Sequence, residues 1–182
     1  LSLAKNDPSA SVRLAIASAL PALDSAQTWN LCTALAAHGE DRDDRFLPKM
    51  IWCGLGNVAA QEFPRALALA GTTPLPSLAD SIRWFAARDP KGRELLLASL
   101  AAQGDEAAAR NLRIATFALK DEAALPMPAA WAKVRERFAN SSDPTIANTA
   151  DQLSALFGDK AVLAKMRGVL ADGKQALPRR QF

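Results

Sequence analysis

The stretch Asp7-Pro8-Ser9-Ala10-Ser11-Val12-Arg13-Leu14-Ala15-Ile16-Ala17-Ser18-Ala19-Leu20 reads as a helix start followed by an apolar stripe. An aspartate such as Asp7 caps a helix N-terminus through its carboxylate, and Pro8 suits the first helical position, where no amide donor is needed. Val12, Ile16 and Leu20 then fall on one helical face, the expected shared core. Looser copies of this layout follow along the chain.

Composition favours the same class. With 49% hydrophobic side chains in 182 residues the chain can bury a sizeable core. Alanine and leucine dominate and tyrosine is absent, which points to helix rather than strand. The 22 basic and 19 acidic residues are spread through the sequence, giving +3 without the concentrated basic block of a nucleic-acid binder. No apolar run reaches the roughly eighteen residues of a membrane span, so no membrane segment is expected.

The remaining elements follow in order. Pro21 stops or kinks the first helix near Leu20. Asp24 or Ser25 starts a second, with Trp29, Leu31, Cys32, Leu35 and Ala36 apolar. After the connector 40–45, Phe46, Leu47, Met50, Ile51, Gly54, Leu55 and Val58 keep helical spacing, Pro48 lying in the first turn. Gly54 and Gly56 suggest close approach of a neighbouring helix. Pro64 opens a partner helix that Gly71 ends. Leu75, Leu78, Ile82 and Phe85 form the next stripe, and Asp89-Pro90 repeats the opening motif before the wide face Leu95, Leu96, Leu97, Leu100 and Ala101, which Gly104 closes. Leu112, Ala115, Phe117 and Leu119 precede Trp131, Val134 and Phe138. Asp143-Pro144 begins a last pair, with Ile146, Ala150, Leu153 and Phe157 on one helix, Gly158 at its end, and Val162, Met166, Val169 and Leu170 on the other. First helices therefore begin near residues 8, 46, 75, 105 and 144. Residues 176–182 read as the start of a further unit, and Leu1 at the first position reads as a cut from a longer chain.

This period of roughly 30 to 40 residues is that of a helical-repeat array. The expected fold is all-α, a right-handed α-α superhelix of about five helical hairpins forming a single domain over residues 1–182. A compact irregular bundle is the structural alternative.

Asp7-Pro8 with Val12-Arg13 resembles the second-helix signature of HEAT repeats. The resemblance implies a HEAT/armadillo-like solenoid in which Asp7 and Arg13 take part in an inter-repeat ladder. Asp143-Pro144 is a weaker echo, with Ala147 where the arginine would stand, which breaks a continuous ladder and marks divergent repeats. Three further segments, residues 41–52 (DRDDRFLPKMIW), 64–70 (PRALALA) and 153–159 (LSALFGD), are similar to the HEAT-repeat region of haem-binding, membrane-bound-dehydrogenase-like proteins of planctomycete and verrucomicrobial bacteria. That resemblance implies a spacer between a β-propeller and a c-type cytochrome module, in the periplasm or cell envelope. Neither module is present, and no Cys-x-x-Cys-His attaches haem, so the expected cofactor set of this segment is none.

Candidate sites are few. Asp41, Arg42, Asp43, Asp44 and Arg45 put three carboxylates in four positions, yet lack the alternating ligands and glycine turn of an EF-hand. Interleaved arginines also oppose a cation, so a solvated connector is the simpler reading and a partner contact the functional one. His38 reads as a solvent-facing helix-end residue rather than a catalytic base, which would need a placed partner. Cys32 and Cys53 fit no zinc pattern and read as buried core residues, with a disulfide as the alternative. Trp52 and Trp84 lie off the cleanest apolar stripes and complete a candidate interaction surface. No metal site and no catalytic residue is assigned.

The expected function is a non-catalytic scaffold whose partners are proteins or neighbouring domains of the same parent chain. The alternative is an enzyme resembling HEAT-like alkylpurine DNA glycosylases, which the near balance of charge disfavours.

Overall fold

A computed structural model describes residues 1–122 and 125–172. The described residues are all-α, with no strand. Eleven α-helices run in order among them: α1 Ser2–Asn6, α2 Ala10–Ala19, α3 Ser25–Leu35, α4 Leu47–Ala59, α5 Phe63–Thr72, α6 Pro76–Arg88, α7 Pro90–Ser99, α8 Asp105–Leu119, α9 Ala129–Ala139, α10 Pro144–Leu156 and α11 Lys160–Ala171. The further unit expected at 176–182 lies outside the described residues. Contacts divide the chain into two compact units, Leu1–Gly92 and Arg93–Phe182.

Aspartates set many of the helix starts. Asp24 accepts the Gln27 amide at 2.8 Å and Asp143 the Thr145 amide at 2.8 Å. Asp89 accepts Lys91 and Gly92 amides ahead of α7, and Asp159 those of Ala161 and Val162 in α11. Each satisfies amides that the first turn leaves without an intrahelical acceptor. The opening motif departs from this pattern. Asp7 accepts only the Ser9 amide, at 2.9 Å, and α2 begins at Ala10, so Asp7 folds the turn and Pro8 precedes the helix instead of occupying its first position. Gly104 leads into α8 rather than closing α7, and Gly71 lies within α5. Gly158, at φ 72°, ends α10 in the left-handed conformation that favours glycine.

In the first unit α2, α4 and α6 pack in succession, while α3 lies along α4 and α5 along α6. In the second, α10 packs on both α8 and α9 and also meets α11. The helix pairs are thus one element out of phase with the expected hairpins. α3 and α5 share more surface with the helix that follows than with the one before. The Asp7-Pro8 turn joins α1 to α2, and α1 packs on both α2 and α3.

The buried line of α2 is Arg13 and Ala17, continued by Leu20 of the 3-10 turn Leu20–Ala22, whereas Val12 and Ile16 are only half-buried. Small side chains let α4 come close: a Cβ on Gly54 would stand 2.3 Å from Leu20 Cβ. Gly56 has no such neighbour, its nearest side chain being Trp52 of its own helix at 3.5 Å. Phe117 and Leu95, expected in the core, are exposed, and α11 carries no buried residue. Gly54→Ala is expected to lower stability by about 1–3 kcal/mol through overpacking against Leu20. Gly56→Ala should be neutral or stabilising by up to about 1 kcal/mol from helix propensity. Urea denaturation of the two variants checks the contrast.

Candidate functional site

Arg13, in the first unit, is a buried charged group with several hydrogen bonds. Its Nε donates to Asp41 Oδ2 and its Nη2 to Asp41 Oδ1, both at 2.6 Å, while Nη1 donates to the Asp7 carbonyl at 2.8 Å. The Asp41 hydrogen bonds raise the guanidinium further above its already high ordinary value and keep it charged. Asp41 therefore leaves the expected exposed connector: only 3% of it is accessible. A buried guanidinium requires a carboxylate of matching fork geometry, and Asp41 supplies it from the 3-10 turn Gly39–Asp41.

The rest of the 41–45 cluster disperses as well. Asp44 accepts the Phe46 and Leu47 amides at 2.8 and 2.7 Å. The Leu47 amide, then that of Phe46, holds its carboxyl below the usual carboxylate range. Arg42 and Asp43 form a loose, exposed pair at 3.9 Å, and Arg45 lies over the exposed Phe46 ring at 5.3 Å. The three carboxylates have three different jobs. Among the described residues no three His, Cys, Asp or Glu side chains group to hold a metal ion.

The two tryptophans part company. Trp52 is half-buried with its ring edge-on to Phe85 at 5.4 Å, whereas Trp84 is 37% exposed beneath the Arg88 guanidinium at 5.2 Å. Only Trp84 remains available as surface. Cys32 is buried and Cys53 exposed, so the expectation that both lie in the core holds for Cys32 alone. Burial pushes the Cys32 thiol up to about 12.

A groove of about 570 Å³ runs between α1, α3 and α5, lined among others by Lys5, Asn30, Thr33, His38 and Arg65. Its polar groups are largely engaged. Arg65 lies over the buried Trp29 ring at 4.5 Å and 3.6 Å from Glu62. His38, expected to face solvent, has both ring nitrogens in contact, Nδ1 with Glu40 Oε1 at 2.7 Å and Nε2 with the Ala4 carbonyl at 2.9 Å.

Sequence reasoning missed a set of arginines that reach backbone. Arg83 donates to the Ala70 carbonyl at 2.7 Å, and Arg137 donates to the Leu100 and Gln103 carbonyls, both at 2.8 Å, and to Asp105 at 2.7 Å. Asp159 is also buried beside Arg135. Arginines next to buried-stripe positions, such as Arg137 before Phe138, were the available signal. No helix among the described residues is long and apolar enough to cross a membrane. Comparison with protein-family models, curated proteins and solved structures finds no match.

Removing one partner of the buried pair, as in Asp41→Ala, is expected to cost about 3–5 kcal/mol because the Arg13 charge is left uncompensated. Asp143→Ala, which removes only a cap, should cost about 1 kcal/mol. The combined Arg13→Met and Asp41→Leu replacement should recover most of the loss, and a double-mutant cycle in urea measures the coupling. Separately, a thiol reagent at pH 8 should modify Cys53 in the native protein and Cys32 only after denaturation. Equal native labelling rates would contradict the burial of Cys32.

Proposed function

We propose that the chain is a HEAT-like helical-repeat scaffold, a right-handed α-α superhelix that holds neighbouring domains or a protein partner and carries out no chemistry itself. The observation that carries the reading is the succession α2, α4 and α6 with α3 and α5 alongside, the two-layer packing that repeat arrays use. The internal use of Arg13, Asp41 and Asp44 supports it, since these charges act in folding. Trp84 with Arg88 is the exposed contact on α6. The similarity of 41–52, 64–70 and 153–159 to dehydrogenase-like bacterial proteins supplies the setting, a spacer between a propeller and a cytochrome module.

Deleting this segment from the protein that carries it is expected to abolish assembly with the partner or transfer between flanking domains, while each isolated flanking activity persists. Unimpaired assembly and transfer would overturn the scaffold role. The glycosylase alternative has its own readout, fluorescence anisotropy with alkylated and unmodified duplex DNA at low salt. No binding is expected, and salt-dependent binding accompanied by base release would replace the scaffold with an enzyme.

A further inference from the structure

The groove of about 570 Å³ between α1, α3 and α5 is of the size usual for binding pockets, and no Asp or Glu side chain among the described residues lines it. Its floor is one face of α3 and the residues after it, where Asn30, Thr33, Ala34 and Ala37 recur at helical spacing. Small side chains at these positions leave the volume open. The lining cations are Lys5, from α1, and Arg65, from α5.

Both cations are short of acceptors. The Lys5 ammonium has no partner among the described residues, and neither has the Asn30 side-chain amide. Arg65 meets Glu62 only at 3.6 Å, beyond hydrogen-bond distance, with both side chains 45% exposed. Its guanidinium lies 4.5 Å over the buried Trp29 ring, which occupies one face of the plane and leaves the N–H edge free to donate. His38 is turned to Glu40 and the Ala4 carbonyl, so it walls the groove without taking part in recognition.

We infer that this groove docks an acidic, extended segment of a protein partner, whose carboxylates are held by Lys5 and by the free edge of Arg65, with the Asn30 amide as a further donor. The inference rests on the scaffold reading for the partner being a protein, and adds the chemistry that partner presents. Charge complementarity carries it, since a concave surface offers two cations and no carboxylate. Nucleic acid fits less well, because two cations release too few counterions to hold a phosphate backbone. From Asn30 to Ala37 the floor runs about 10 Å at the helical rise, room for about three residues of extended chain. The groove lies on different helices from the Trp84 and Arg88 contact of α6, so it is a second surface.

The test is an NMR titration of the ¹⁵N-labelled 182-residue chain at low salt. The probe is a capped peptide of about eight residues alternating glutamate and alanine, which sets its carboxylates along one side when extended. Amide shifts are expected at Lys5, Asn30, Thr33, Ala37 and Arg65, while those around Trp84 stay in place. Lys5→Gln and Arg65→Gln should each weaken binding about three- to fivefold, as loss of a part-exposed ion pair does, and Lys5→Glu combined with Arg65→Glu should abolish it. Lys5→Arg, on exposed α1, should bind as the unsubstituted chain does. The groove is overturned if the peptide does not bind, if a lysine-alanine counterpart binds as tightly, or if the shifts map elsewhere. It is equally overturned if inorganic phosphate gives the same shifts at equal concentration, which would make it a small-anion site. Its failure is separable from that of the scaffold. No peptide binding by a chain that assembly still requires removes the groove alone, and peptide binding by a chain whose deletion leaves assembly intact removes the scaffold and leaves the groove.

Discussion

The first unit depends on a charge placed where an apolar side chain would be expected. Arg13 sits on the buried face of α2, and water cannot solvate its guanidinium there. Leaving water costs several kcal/mol per ion, so the fold has to bring the carboxylate to the guanidinium. Nε and Nη2 grip Asp41, and Nη1 holds the Asp7 carbonyl. One side chain thereby fixes the turn between α1 and α2 and the connection between α3 and α4. Its worth is in register: a slipped α2 would leave two charges buried and unpaired.

Around that pair the packing is built from small residues. α2 presents Ala17 and the turn after it Leu20, and α4 answers with Gly54, where a Cβ would stand 2.3 Å from Leu20 Cβ. Alanine gives up no side-chain entropy on burial and lets helix axes approach towards the lower end of the usual 8–10 Å or so. Bulk enters at the margins of this layer: Trp29 is buried under Arg65, and the Trp52 ring meets Phe85. A close small-residue seam with aromatic flanks tolerates little sliding, which fits the need to keep Arg13 opposite Asp41.

Much of this was legible from sequence where the signal is local. Proline and aspartate punctuation placed the helices, because Pro48, Pro64, Pro90 and Pro144 can stand only near helix starts. Pairing was less legible: hydrophobic stripes give each helix a face but do not name the helix that covers it. The burial of Asp41 was hidden for the same reason. A run of five charged residues reads as solvated unless the partner 28 residues away is known, and only the tertiary fold brings Arg13 to it. His38 likewise looked terminal because its partner Ala4 lies on an element too short to show a pattern.

Three arginines of these units are tied to main-chain carbonyls at or near helix ends. Arg13 reaches the carbonyl of Asp7, just after α1; Arg83 reaches that of Ala70, in the last turn of α5; Arg137 reaches those of Leu100 and Gln103, after α7. The last carbonyls of a helix have no intrahelical donor and carry the negative end of its dipole, so a guanidinium both satisfies and stabilises them. Such an acceptor exists whatever residue supplies it. An aspartate ladder needs two specified residues per step, whereas an arginine-to-carbonyl step needs one. Such a tie fixes the position of the arginine and leaves the sequence of the segment that receives it free to vary.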